Sequence, residues 1–167
     1  ELLEEELAAG GRRCLKITDA PGLKYAHDPH YFYSPRQNRG RATLAFDIRV
    51  EKGAQLYCEW REYPGVPYFH TGPRIAIRNA ELTASGNQPL SVPVGKWFHV
   101  EMSAGQGDQA DGNWQLTVTL PGETPKQFSL KTASPPFRIT TWLGFVSDGT
   151  QPAVYYLDNL RLSNPAE

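Results

Sequence analysis

Apolar and polar residues alternate with a period of two along much of the chain. In RATLAFDIRV, residues 41–50, Leu44, Phe46, Ile48 and Val50 fall on one side and Thr43, Ala45, Asp47 and Arg49 on the other. QLYCEWREY, residues 55–63, repeats the pattern, setting Leu56, Cys58 and Trp60 against Tyr57, Glu59, Arg61 and Tyr63. RIAIRN turns Ile75 and Ile77 inward, KWFHVEMS turns Phe98, Val100 and Met102 inward, and NWQLTVTLPG does the same with Trp114, Leu116, Val118 and Leu120. KQFSLKT, ITTWLGFVS and AVYYLDNLRLS continue the series, and turn clusters such as EKGA, ASGNQP, GQGDQADGN and SDGTQPA separate its members. After residue 10 no segment keeps apolar residues at helical spacing for three turns. Roughly ten short antiparallel strands, each with one apolar face, predict an all-β, two-sheet antiparallel sandwich. Only ELLEEELAA offers a helical turn or two, with a frayed tail as the alternative.

A chain of 167 residues suits one domain with a substantial core. The expected unit is therefore residues 1–167, read as a domain excised from a larger protein. With 17 basic and 18 acidic residues the formal charge is -1, so no long-range field draws in a nucleic-acid backbone or an anionic membrane. No apolar run approaches membrane-spanning length, and no signal peptide opens the sequence. Cys14 and Cys58 could form one bridge in an oxidising compartment. Cys58, however, alternates in phase with Leu56 and Trp60, which reads as a small buried apolar residue.

Three segments carry a resemblance: GRATLAFDIRVEKGA, VPVGKWFHVEMSA and the closing VYYLDNLRLS. The second is similar to the G-x-W-x-H-V strand of laminin-G-like domains, and the third to the last strand of many carbohydrate-binding modules. Together the chain resembles a concanavalin A-like jelly roll of the laminin-G and lectin type, similar to bacterial carbohydrate-binding modules. The resemblance implies a secreted setting, extracellular or periplasmic, beside other domains of a polysaccharide-processing protein. It also implies that Asp158 helps hold a structural Ca²⁺ between the first and last strands, although Asn159 stands where many such modules have a second aspartate. The alternative for Asp158 is a carboxylate that accepts backbone N–H bonds.

Fold does not decide activity; the residues of the site do. If Leu56, Cys58 and Trp60 enter the core, Tyr57, Glu59, Arg61 and Tyr63 form a stripe on the opposite face. Neighbouring strands are expected to add Asp47, Arg49, Arg74, Arg78, His99 and Glu101, with His70 and the out-of-phase Trp142 nearby. The ligand-binding set is thus Tyr57, Glu59, Arg61, Tyr63, His70, Arg74, His99 and Trp142. Aromatic rings stack on the C–H faces of sugars, while charged side chains give directional hydrogen bonds to hydroxyls. The arginines suit an acidic polysaccharide or oligosaccharide. The plainer reading is a solvated face of cross-strand charge pairs. In YAHDPHYFYSP, residues 25–35, His27, Asp28 and His30 raise a metal, but Pro29 and the lack of a distant partner cluster favour a rim loop that offers His30, Tyr31 and Tyr33 to the same ligand.

Hydrolysis needs two carboxylates about 5 Å apart for a retaining mechanism, and the spacing of Glu59 and Glu62 puts them on opposite strand faces. β-Elimination needs only a tyrosine or histidine base and an arginine or amide to neutralise a uronate. Tyr57, Tyr63, His70, His99, Arg61 and Arg74 could supply these, yet the alginate-lyase signatures Q-I/V-H and Y-x-K-x-G-x-Y-x-Q are missing. The reading reached is non-catalytic carbohydrate binding. A lyase acting on an acidic glycan and a laminin-G-like structural domain remain as alternatives.

Overall fold

The computed structural model describes residues 2–4, 8–10, 13–25 and 27–164. Its strands are β1 (Leu2–Glu4), β2 (Arg13–Asp19), β3 (His30–Tyr33), β4 (Arg41–Val50), β5 (Leu56–Gly65), β6 (Tyr68–Arg78), β7 (Glu81–Ala84), β8 (Leu90–Ser91), β9 (Trp97–Gly105), β10 (Asn113–Thr119), β11 (Lys126–Lys131), β12 (Trp142–Ser147) and β13 (Ala153–Ser163). A seven-stranded sheet runs β1-β2-β13-β4-β9-β10-β11, and a six-stranded sheet runs β3-β12-β5-β6-β7-β8. All strand pairs are antiparallel. The fold is the expected concanavalin A-like jelly-roll sandwich. Residues 2–4 of the candidate helix instead form β1 against β2, and the rest of that segment up to residue 7 lies outside the described residues.

The alternation seen in sequence becomes the core. Leu44, Phe46, Ile48 and Val50 from β4 meet Leu56, Cys58 and Trp60 from β5, all buried. Phe46 and Phe145 pack edge to face across the two sheets, with centroids 4.9 Å apart at 89°. Trp114, Leu116 and Val118 close one side. Cys58 belongs to this core, whereas Cys14 lies outside it, with Asp158 and Arg49 as charged neighbours; both thiols are free. Burial pushes both thiols above their ordinary range.

One buried polar join links the sheets. Gln106, fully buried beyond β9, accepts hydrogen bonds at Oε1 from the Thr140 backbone N–H (2.8 Å) and hydroxyl (2.9 Å). Thr140 precedes β12, so this contact sets where β12 begins. Gln106→Ala removes the acceptor of the buried Thr140 hydroxyl, while the Thr140 N–H keeps the Gln37 carbonyl at 2.9 Å, and the change is expected to lower stability by about 1–3 kcal/mol in urea unfolding.

Asp19 is also buried. Burial raises its pKa above the ordinary value, against the lowering effect of backbone N–H bonds from Ala20 and Gly149. The folded state therefore binds this proton more tightly than the unfolded chain does. The resulting stability is present in acid and is lost as pH rises from the unfolded to the folded pKa. Asp19→Asn should stabilise the protein at neutral pH, and this gain should shrink on acidification in pH-dependent urea titrations.

Candidate functional site

The outer face of the six-stranded sheet is built from cross-strand rows. His30, Val146, Tyr57 and Ala76 form one row; Phe32, Gly144, Glu59 and Arg74 the next; Trp142, Arg61 and Thr71 the third. They border a groove of about 390 Å³, lined by Tyr57, Arg61 and Tyr63 of β5, Trp142 and Val146 of β12, His30 and Phe32 of β3, and His27 from the preceding loop.

Glu59 is the electrostatic centre. It points to this outer face yet is only 5% exposed. Its Oε1 accepts from Arg61 Nε at 2.5 Å, and its Oε2 lies 3.0 Å from Arg74 Nε. Arg61 also donates to the Tyr63 hydroxyl at 3.1 Å. Its guanidinium carbon lies 4.3 Å from the ring centres of both Phe69 and Trp142. Burial opposes the Arg61 charge, but the bonds to Glu59 and Tyr63 outweigh it and hold the pKa above the ordinary value. Arg74 lies over the Tyr57 ring at 4.7 Å. Burial also raises the Tyr57 pKa, so its phenol stays protonated at neutral pH.

An aromatic row extends from this centre. Trp142 stacks on Phe32 (5.9 Å, 21°) and Phe32 on His30 (5.4 Å, 16°). On the other side of Arg61, Phe69 packs against Tyr63 at 5.4 Å. Gly144 makes room for the indole: a Cβ there would stand 2.5 Å from Trp142 Cη2 and 2.6 Å from Cζ2.

The proposed stripe of Tyr57, Glu59, Arg61 and Tyr63 is brought together, and Arg74 and Trp142 join it. His99 does not. With Asp47, Arg49 and Glu101 it belongs to the seven-stranded sheet, where its Nδ1 contacts Asp47 Oδ1 at 2.7 Å. The strand order separates β4 and β9 from β5, which sequence proximity of patterns could not reveal. His70 is also displaced. It stands opposite Glu62, out of phase with Arg61 and Tyr63, with Nδ1 3.8 Å from Glu62 Oε2. Glu62 itself accepts the Arg138 backbone N–H at 2.7 Å. Arg78 is drawn into a pair with Asp148.

At β3 the expected phase shifts by one residue. His30 reaches the groove, but Tyr31 and Tyr33 turn away and their hydroxyls meet at 2.6 Å; Phe32 takes the groove position instead. Asp158 Oδ2 accepts the Ala9 N–H at 2.8 Å and Oδ1 accepts the Asn159 N–H at 2.7 Å. The first of these bonds ties the N-terminal segment to β13, the join for which calcium was expected. Among the described residues Asp158 belongs to no group of three His, Cys, Asp or Glu side chains able to share an ion.

No protein-family model and no curated protein sequence matches the chain. Solved structures match the fold. An alginate lyase from Aplysia kurodai superposes with a TM-score of 0.61 at 13% identity, over 93% of this chain and 84% of its own. A carbohydrate esterase from the Shiga toxin-encoding bacteriophage phi24B gives 0.58 at 14%, covering 99% and 87%. The carbohydrate binding module CBM66 from Bacillus subtilis gives 0.55 at 9%, covering 98% and 91%. At these identities the likeness is one of architecture, a concanavalin A-like jelly roll that is similar to carbohydrate-binding modules and to enzymes alike.

Gly144→Ala should push the Trp142 indole off its bed. The expected result is a change in tryptophan emission that is absent when the substitution is made in a Trp142→Phe background.

Proposed function

We propose that the groove of the six-stranded sheet binds a polysaccharide or oligosaccharide without transforming it, and favours acidic sugars. The observation that carries this reading is one buried carboxylate holding two arginines beside a row of aromatic rings in an open groove. Glu59 neutralises one of the two guanidiniums, so the cluster keeps a net positive charge suited to a uronate or sulfate. Tyr57, Tyr63 and Trp142 supply apolar surface with polar edges, which is what pyranose rings require. The solved structures of this architecture named above include a carbohydrate-binding module, an esterase and a lyase, a setting in which sugar recognition recurs. A place outside the cell, within a larger glycan-processing protein, belongs to the same reading.

Of the groove's tyrosines, Tyr57 suits binding better than elimination. A base must lose its proton near the working pH, and burial drives the Tyr57 phenol the other way. Arg61 is likewise committed to Glu59 and Tyr63, which suits a fixed recognition surface.

Native affinity electrophoresis against neutral and uronate-rich polysaccharides tests this reading. Wild type should be retarded, more strongly by the acidic polymers, and Tyr57→Ala/Arg61→Ala should lose most of the retardation without forming product. Newly formed unsaturated or reducing ends would move the protein to the enzymes. Migration unaffected by every polymer would leave the cluster as a solvated sheet face.

A further inference from the structure

At one end of the groove three metal-ligating side chains from a single short stretch converge. His27 and Asp28 lie in the loop before β3, and His30 opens the strand. One ligand atom from each lies within 4.8 Å of the other two, and no other such group occurs among the described residues. His30 Nδ1 is already 3.1 Å from Asp28 Oδ1. Both imidazoles are oriented by stacking: His27 lies parallel to Tyr25 at 5.3 Å and 3°, and His30 packs on Phe32. The two histidine rings meet edge to face at 5.3 Å. The intervening Pro29, which in sequence argued against a shared ion, does not prevent the convergence.

We propose that His27, Asp28 and His30 form a binding site for a divalent transition metal of the zinc type at the end of the groove. Two imidazoles and one carboxylate match a borderline cation better than calcium or magnesium, which prefer all-oxygen shells. Bonds of about 2.0–2.2 Å place tetrahedral ligand atoms roughly 3.3–3.6 Å apart. Contraction from the present spacing by little more than an ångström, shared among partly exposed side chains, completes that geometry. Three protein ligands leave a fourth position for water or for an oxygen of a groove ligand. His27 and His30 both line the groove, so the ion would sit beside the aromatic row and add to the positive charge of Arg61 and Arg74. The site does not depend on what the groove binds, since all of its protein ligands come from residues 27–30.

Isothermal titration calorimetry with zinc chloride alone, on the whole chain, tests the site. Wild type should bind one equivalent. His27→Ala/His30→Ala should lose at least the roughly 10- to 100-fold that even outer-shell changes cost at metal sites, and Asp28→Asn should also weaken binding. His99→Ala, which removes a histidine from the other sheet, should leave the titration unchanged. Thermal denaturation provides a second readout: zinc should raise the Tm of wild type and of His99→Ala but not of the double variant. No zinc binding by wild type, equal binding by the double variant, or equal loss in His99→Ala would each overturn the proposal.

Discussion

A carboxylate that faces outward but is shielded from water organises this groove. An ionised Glu59 without partners would be costly at 5% exposure, so its two arginines are a condition of the fold as well as a feature of the site. Arg61, with 16% side-chain exposure, is the tighter partner, while Arg74, at 40%, is more strongly screened by solvent. Once Arg61 Nε is bound to Glu59, its planar group is held in place. Trp142 and Phe69 occupy its two sides and Tyr63 receives a further N–H. The groove's surface and its local stability therefore share the same contacts.

The floor of the groove depends on what is small as much as on what is charged. Gly144 stands between Phe32 and Glu59 in the cross-strand row, and its missing side chain lets the Trp142 indole lie over the strand. The neighbouring row is closed by Val146, which is nearly fully buried although it points to the same outer face. These two residues explain why β12 is buried along most of its length despite having only one face toward the core.

The opposite face of the sandwich has a similar composition and a different organisation. There Asp47 joins His99 on one side and Asn159 on the other, and Arg49 lies over Tyr156 at 5.3 Å. Strand β5 was legible in sequence because residues 56–61 alternate apolar and polar, and a slip by one would expose Trp60 and bury Arg61. Strand β3 was not, since HYFY has aromatic character on both faces and no apolar phase to choose between them. Phe32, Gly144 and Val146 consequently went unnoticed as parts of the groove. The adjacency of Phe32 and Trp142 depends on pairing between strands more than a hundred residues apart.

Period-two patterning is a local property, and it determined the all-β class, the inward sets of β4, β9 and β10 and of the first part of β5, and the outward stripe of Tyr57, Glu59, Arg61 and Tyr63. Which strands lie side by side is decided by closure of the two sheets, and no local pattern encodes it. Closure sent His99 to the far sheet, set His70 against Glu62, and brought Arg74 and Trp142 to the stripe. It also laid His27, Asp28 and His30 at the end of the groove, because β3 pairs with β12 at its edge. The sequence by itself determined what the strictly alternating strands present. Only the tertiary structure decided which presentations meet, since long-range pairing is selected by packing of the whole core.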